Sequence, residues 1–278
     1  PNEFGTAMGM WFEKDHKHYI VMPGVPYEMK AMMTGHIIPD LKKQFRLPVI
    51  FHRTVHTTGI PESVMADKIS GWESNLSPNI KLAYLPSPGI LRLRLSASGN
   101  DQVSLEHQVS LQLDRLLEIL GHTVIGFDGI TIETAVGELL RKSHLTIAVA
   151  ESCTGGNIAR MITSVPGSSE YFKGGIVAYD NEVKTQWLDV DKKIIEKHGA
   201  VSKPVAEQMA ETIRKKLNAD YAISTTGIAG PAGGTPEKPV GTVWIALSGK
   251  KKTSSTRFSF YNLRETNIIR ASVAALNL

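Results

Sequence analysis

From Thr134 onward, short apolar runs of strand length trade places with amphipathic stretches, and this alternation limits the fold more than any other feature of the chain. The order reads helix TAVGELLRKS, strand LTIAVA, turn ESCTGG, helix NIARMITSV, strand GGIVAYD and helix EVKTQWL. A long helix, entered at Ser202 with Pro204 in its first turn, runs through VAEQMAETIRKKL. Strand YAIST, a glycine-rich loop, strands GTVWIALSG and TRFSFY, and helix ETNIIRASVAAL follow. Strands separated by helices run parallel, because a parallel return needs a crossover of helix length. The expectation for residues 126–278 is a three-layer α/β/α domain whose parallel strands give way to a final antiparallel hairpin. Sheets of this kind bind ligands outside the carboxyl ends of their strands, which says where to look for a site.

The earlier residues read differently. VIFHRTVHTTG and IKLAYLPSPGILRLRLSASG alternate as strands, while PESVMADKISGWESN and SLEHQVSLQLDRLLEILG look helical, so residues 46–125 form a smaller α+β module. Leu105, Val109, Leu113, Leu116, Leu117 and Leu120 line one face of its last helix and belong to a core. The glycine-rich segment GHTVIGFDGITIET is the expected linker. Residues 1–45 offer one strand in HYIVMPGVP, a Pro/Gly loop, and one helix on which Met29, Met32, Met33, Ile37, Ile38 and Leu41 recur at near-helical spacing. That is too little for a free-standing core, so this stretch is expected to be the closing portion of a larger α/β domain.

Composition closes off other classes. With 42% hydrophobic and 21% charged residues the chain is neither disordered nor collagenous. No run approaches the roughly 20 apolar residues of a membrane span, and the opening residues lack a signal peptide's order, so a cytoplasmic protein without a membrane partner is expected. The single cysteine, Cys153, excludes an internal disulfide framework and a multi-cysteine zinc site. The formal charge of +4 lies in the second half, where Lys250, Lys251 and Lys252 read as a solvated hairpin tip. Nucleic acid is not an expected partner; a small anionic one is compatible.

Two strand-to-loop junctions carry candidate chemistry. The first is Glu151, Ser152, Cys153, Thr154, Gly155 and Gly156, where glycines ahead of a helix start could let backbone N–H groups approach an anion. The second runs from Ser224 through Thr226, Gly227, Gly230, Gly233 and Gly234. Neither matches a Walker loop or a GxGxxG dinucleotide fingerprint, and no HExxH or clustered His/Asp spacing suggests a metal. Either loop alone could be no more than a tight turn with capping hydroxyls. Ser152 and Cys153 compete as nucleophile, and the histidines offer no base nearby. A lysine can serve if burial lowers its pKa from about 10.4 toward about 7–8. Lys184, in YDNEVK one turn after the strand that Tyr179 ends, is the candidate, with a surface salt-bridging lysine as the plainer alternative.

At these residues the chain resembles a known family. AESCTGGNIARMITSVPGSSEYFKGGIVAYDNEVKTQWLDV, GAVSKPVAEQMA, TTGIAGPAGGTPEKPVGTVWIAL and NLRETNIIRASVAAL together are similar to the C-terminal domain of the competence/damage-inducible CinA family, over residues 128–278. PNEFGTAMGMWFEKD and MPGVPYEMK resemble the end of that family's molybdopterin-binding-like N-terminal domain, and residues 46–122 its KH-type module. The resemblance implies hydrolysis of the carboxamide of nicotinamide mononucleotide, with no cofactor. It implies Ser152 as nucleophile, Lys184 as general base, and Tyr179 and Thr226 completing the polar network. Phosphate recognition is expected from Thr154, Gly155 and Gly156, the Gly227 to Gly234 loop, and Arg264.

For the N-terminal part the resemblance implies a metal-assisted ADP-ribose pyrophosphatase. The strands that should precede Pro1 are absent from the sequence, so no competent site of that kind, and no need for its divalent metal, is expected here. The KH-type module lacks the GXXG loop that clamps nucleic acid, and spacing or dimer contact is its expected role. A homodimer is expected from the family. The alternative from another class is a non-catalytic, nucleotide-binding accessory protein acting in competence or the response to DNA damage.

Overall fold

The strand Ile147–Glu151 (β7) is buried along its whole length, and the period of two sorts its side chains onto two faces. Ile147 and Val149 join the core on one side with Ile158, Ile162, Val243, Ile245 and Val273. Ala148 and Ala150 join the core on the other with Leu188, Val205, Met209 and Ile213. Both faces are covered, so this is the central strand of a three-layer domain. The small residues on the second face let the helix Lys203–Lys216 (α9) lie close against the sheet.

In this computed structural model, which describes residues 1–45, 47–260 and 263–278, the five-stranded sheet has the order β11-β10-β9-β7-β8. Strand β7 pairs in parallel with Phe172–Val177 (β8) and with Tyr221–Gly227 (β9). Thr242–Gly249 (β10) and Thr253–Ser259 (β11) complete it antiparallel. The helices Ile132–Lys142 (α5), Asn157–Thr163 (α6) and Arg264–Leu276 (α10) cover one face. Asn181–Leu188 (α7), Lys192–His198 (α8) and α9 cover the other. The α/β architecture with a closing antiparallel hairpin is the one the alternation implies. Helix α8 was hidden in the polar stretch DKKIIEKHG, where only two apolar residues mark its buried side.

The chain packs as two units: residues 1–50 with 98–102, and residues 51–97 with 103–278. In the first, Met10–Lys14 (β1) and Lys17–Val21 (β2) form a hairpin turned by Asp15 and His16, both at positive φ. The expected single strand is therefore two, since MWFEK lacks strict alternation. The expected helix is Pro26–Met32 (α1) and Ile38–Gln44 (α2), joined by a π turn at Met33–Ile37. In the α+β module the sheet order is β4-β5-β3-β6, with Val49–Thr58 (β3), Ile80–Ser87 (β4), Ile90–Gly99 (β5) and Val124–Phe127 (β6). Helices Glu62–Glu73 (α3) and Gln102–Leu120 (α4) accompany it, and Leu105, Val109, Leu113, Leu116 and Leu120 are buried as their spacing predicts. The expected linker is corrected: its middle is β6, pairing antiparallel with β3, because flanking glycines masked a four-residue strand.

The exit from β7 is built on one carboxylate. Glu151, wholly buried, accepts from the backbone N–H groups of Gly156 (3.1 Å), Ile158 (3.0 Å) and Ala159 (2.8 Å). A carboxylate at a helix start satisfies amides that would otherwise lack partners and complements the helix dipole. Replacing Glu151 by Ala strands these donors, at about 1–3 kcal/mol for each one buried. Chemical denaturation should therefore show Glu151→Ala destabilised by roughly 3 kcal/mol or more, and Glu151→Gln, which keeps one acceptor, by less.

Candidate functional site

A cleft of about 290 Å³ opens where β7, β8 and β9 end. Ser152 and Cys153 reach it from β7, Tyr179 from the β8–α7 connection, Lys184 from α7, and Thr226 and the following loop from β9. The backbone N–H of Ser152 donates to the carbonyl of Thr225 at 2.9 Å, which extends the β7–β9 pairing by one residue and fixes the serine at the sheet edge. Cys153 lines the cleft as well, but burial pushes its thiol up to about 12. Protonated at neutral pH, it is a poor nucleophile, which weighs against it of the two candidates.

Lys184 sits in the first turn of α7, a helix opened by Asp180, whose carboxylate accepts from the N–H of Glu182 at 2.7 Å. Its side chain is 2% exposed. The ammonium donates to the carbonyl of Tyr179 at 3.2 Å and forms no ion pair among the described residues. Burial lowers its pKa below the ordinary lysine value, while Asp180 and Cys153 pull in the opposite direction. The surface salt-bridging alternative is set aside by this burial. A lysine held so has its neutral amine favoured over that of a solvated lysine, and an amine can take and return a proton.

Tyr179 is largely exposed, and its hydroxyl accepts from Nη2 of Arg264 at 2.7 Å. Nη1 of the same arginine donates to the carbonyl of Gly230 at 2.6 Å. Arg264 thereby ties the end of β8 to the glycine loop across the cleft. Thr226 is buried, and its hydroxyl donates to the carbonyl of Ala200 at 2.8 Å, so toward the cleft it can only accept.

The two loops divide the work differently from the expectation. Gly227 is required by close approach, since a Cβ there would lie 2.7 Å from the carbonyl oxygen of Thr242. Gly230 has φ +95°, and a Cβ would lie 2.6 Å from Val240. Ala229, Gly230 and Gly233 line the cleft, and their backbone N–H groups donate to no acceptor among the described residues. Gly234 does not line the cleft and packs instead against the backbone of Val240.

The expected cradle at Thr154, Gly155 and Gly156 is corrected. The N–H of Gly156 goes to Glu151, that of Gly155 donates to the carbonyl of Ser152 at 3.1 Å, and the hydroxyl of Thr154 lies 2.7 Å from that of Thr225. The protein's own groups occupy this turn, and none of the three lines the cleft.

Sequence reasoning also missed Asn267, which is buried and donates to the carbonyl of Ala229 at 3.0 Å, anchoring the glycine loop to α10. The asparagine directly ahead of IIRASVAAL in α10 was the available signal. Asn181, also on the cleft wall, carried none. Among the described residues no group of three or more His, Cys, Asp or Glu side chains gathers as a metal site would, and no helix is long and apolar enough to cross a membrane.

Comparison with known proteins places this geometry in a family. The family model described as the CinA C-terminal domain matches residues 130–278, and that of the damage-inducible protein CinA KH domain matches residues 52–126. A CinA-like protein of Cytophaga hutchinsonii is 46% identical over 277 residues, covering 100% of this chain and 66% of its own length. One of Flavobacterium psychrophilum is 47% identical over 278 residues, again with 66% of its own length. This chain thus spans just under two thirds of those relatives. Among solved structures, competence damage-inducible protein A (ComA) of Klebsiella pneumoniae matches with TM-score 0.51 and 32% identity, over 52% of this chain and 90% of its own. The chain belongs to the CinA family.

Proposed function

We propose that the C-terminal domain is an amidohydrolase that converts nicotinamide mononucleotide to nicotinate mononucleotide and ammonia. The observation that carries this reading is a buried lysine without a carboxylate partner lining the same cleft as a serine held at the strand end. A binding module has no use for that pair, which weighs against the accessory-protein alternative.

In this reading the neutral Lys184 amine takes the hydroxyl proton of Ser152 as its oxygen attacks the carboxamide carbon. The pyridinium charge of the substrate already draws electrons from that carbon. The C=O bond opens to an oxyanion, which amides of the Ala229 to Gly233 loop are placed to hold. Collapse of the tetrahedral intermediate breaks the C–N bond, and the Lys184 ammonium passes its proton to the departing nitrogen. Water, deprotonated by the same amine, then opens the acyl-serine ester and restores both groups. No cofactor enters these steps. The phosphate is assigned to the glycine loop and the free N–H groups of Arg264, since the β7–α6 turn is filled by Glu151.

Ammonia release from nicotinamide mononucleotide, measured without added metal, should fall by about three orders of magnitude or more in Ser152→Ala and in Lys184→Ala, with both variants folded. Because the amine must be neutral to act, kcat/KM should rise with pH to a plateau. The midpoint should lie below the ordinary lysine value, in keeping with the lowered pKa of Lys184. A folded wild-type chain with no turnover would remove the deamidase reading. Arg264→Ala should raise KM about tenfold while changing kcat much less, as expected for a ground-state phosphate contact. An unchanged KM would free Arg264 from that role.

A further inference from the structure

We propose that the chain carries a second small-molecule site, in a cavity of about 500 Å³ that takes an organic monocarboxylate with an aromatic or branched apolar body. The cavity shares no lining residue with the catalytic cleft. Its volume lies within the range of roughly 300–1,000 Å³ common to ligand pockets.

Phe258 from β11, Phe260 just after it, and Val273 and Ala274 from α10 form one wall; the β3–α3 loop at Ile60 and the β4–β5 turn form the other. The two phenylalanine rings are stacked, with centroids 5.7 Å apart and planes within 8°. They offer a flat aromatic surface to an apolar body. The turn is seated firmly: Gly89, at φ +80°, lies so near α10 that a Cβ would come 2.9 Å from the Cβ of Val273. A side chain at that position would pry the walls apart.

The polar lining selects the charge. The hydroxyl of Thr58 donates to the carbonyl of Gly89 at 2.9 Å and that of Ser87 to the carbonyl of Ile90 at 3.3 Å, so both protons are already committed. Arg270 also lines the cavity, and its guanidinium makes no hydrogen bond or ion pair among the described residues. A planar cation beside apolar walls matches a carboxylate, which it can hold by two parallel hydrogen bonds. Glu62 lines the same cavity and repels a second negative charge, which favours a monoanion over a phosphate ester.

The probes are 3-phenylpropanoate and 4-methylpentanoate, titrated calorimetrically into the whole chain at millimolar concentration, with 3-phenylpropanamide and phenyl phosphate as neutral and dianionic controls. Saturable binding of the carboxylates is expected, about tenfold weaker in both controls and in Arg270→Gln, with most of it regained in Arg270→Lys. Arg264→Ala, which alters the catalytic cleft, should leave it unchanged. The site is overturned if neither carboxylate saturates, if Arg270→Gln binds as well as wild type at an unchanged melting temperature, or if Arg264→Ala abolishes binding. Because binding is read directly, the deamidase reading can fail while this site stands, and the reverse.

Discussion

Glu151 places an acid where a phosphate-binding fold would leave an empty helix N-terminus. Its carboxylate takes three backbone N–H groups, and this fixes the path of the chain between β7 and α6. Ser152 and Cys153 lie within that path, held on the other side by the bond from Ser152 to Thr225. The backbone position of the serine is thus set by groups outside the cleft's candidate chemistry. The same carboxylate takes the N–H groups of this turn for the protein itself.

Lys184 presents the opposite situation. A buried ammonium costs free energy unless it is paired, and here a backbone carbonyl is its hydrogen-bond partner. The cost appears as a lowered pKa, which is the property a general base requires. The sheet beneath is covered on both faces, and that packing offsets the cost. Tyr179 couples the two functions of the β8 exit: its carbonyl holds the lysine, and its hydroxyl receives Arg264.

Much of this architecture was legible in the sequence, and the failures have physical causes. The strand at 147–151 announced itself because a strand buried on both faces reads as a near-continuous apolar run, and those at 172–177 and 221–227 stood out by their alternation with helices. Val124–Phe127 did not, since four residues between glycines look like a linker until a partner strand is known. Spacing placed Ser152, Tyr179, Lys184 and Thr226 at one sheet edge, yet it could not say that Lys184 is buried and without a carboxylate. That depends on which side chains α7 and its neighbours bring together. The filled turn at Gly156 was harder still. Two glycines before a helix suggest an anion from outside, and the acid five residues earlier was the overlooked sign that the anion is internal.

The central claim is that burial lowers the pKa of Lys184 below the ordinary lysine value and so favours its neutral amine. The direct measurement is a titration of its side-chain 13Cε resonance by NMR, assigned by its absence in Lys184→Arg. The account predicts a midpoint below the ordinary lysine value of 10.5. A midpoint at or above that value would mean that the ammonium is stabilised where it lies, and would contradict its role as the base.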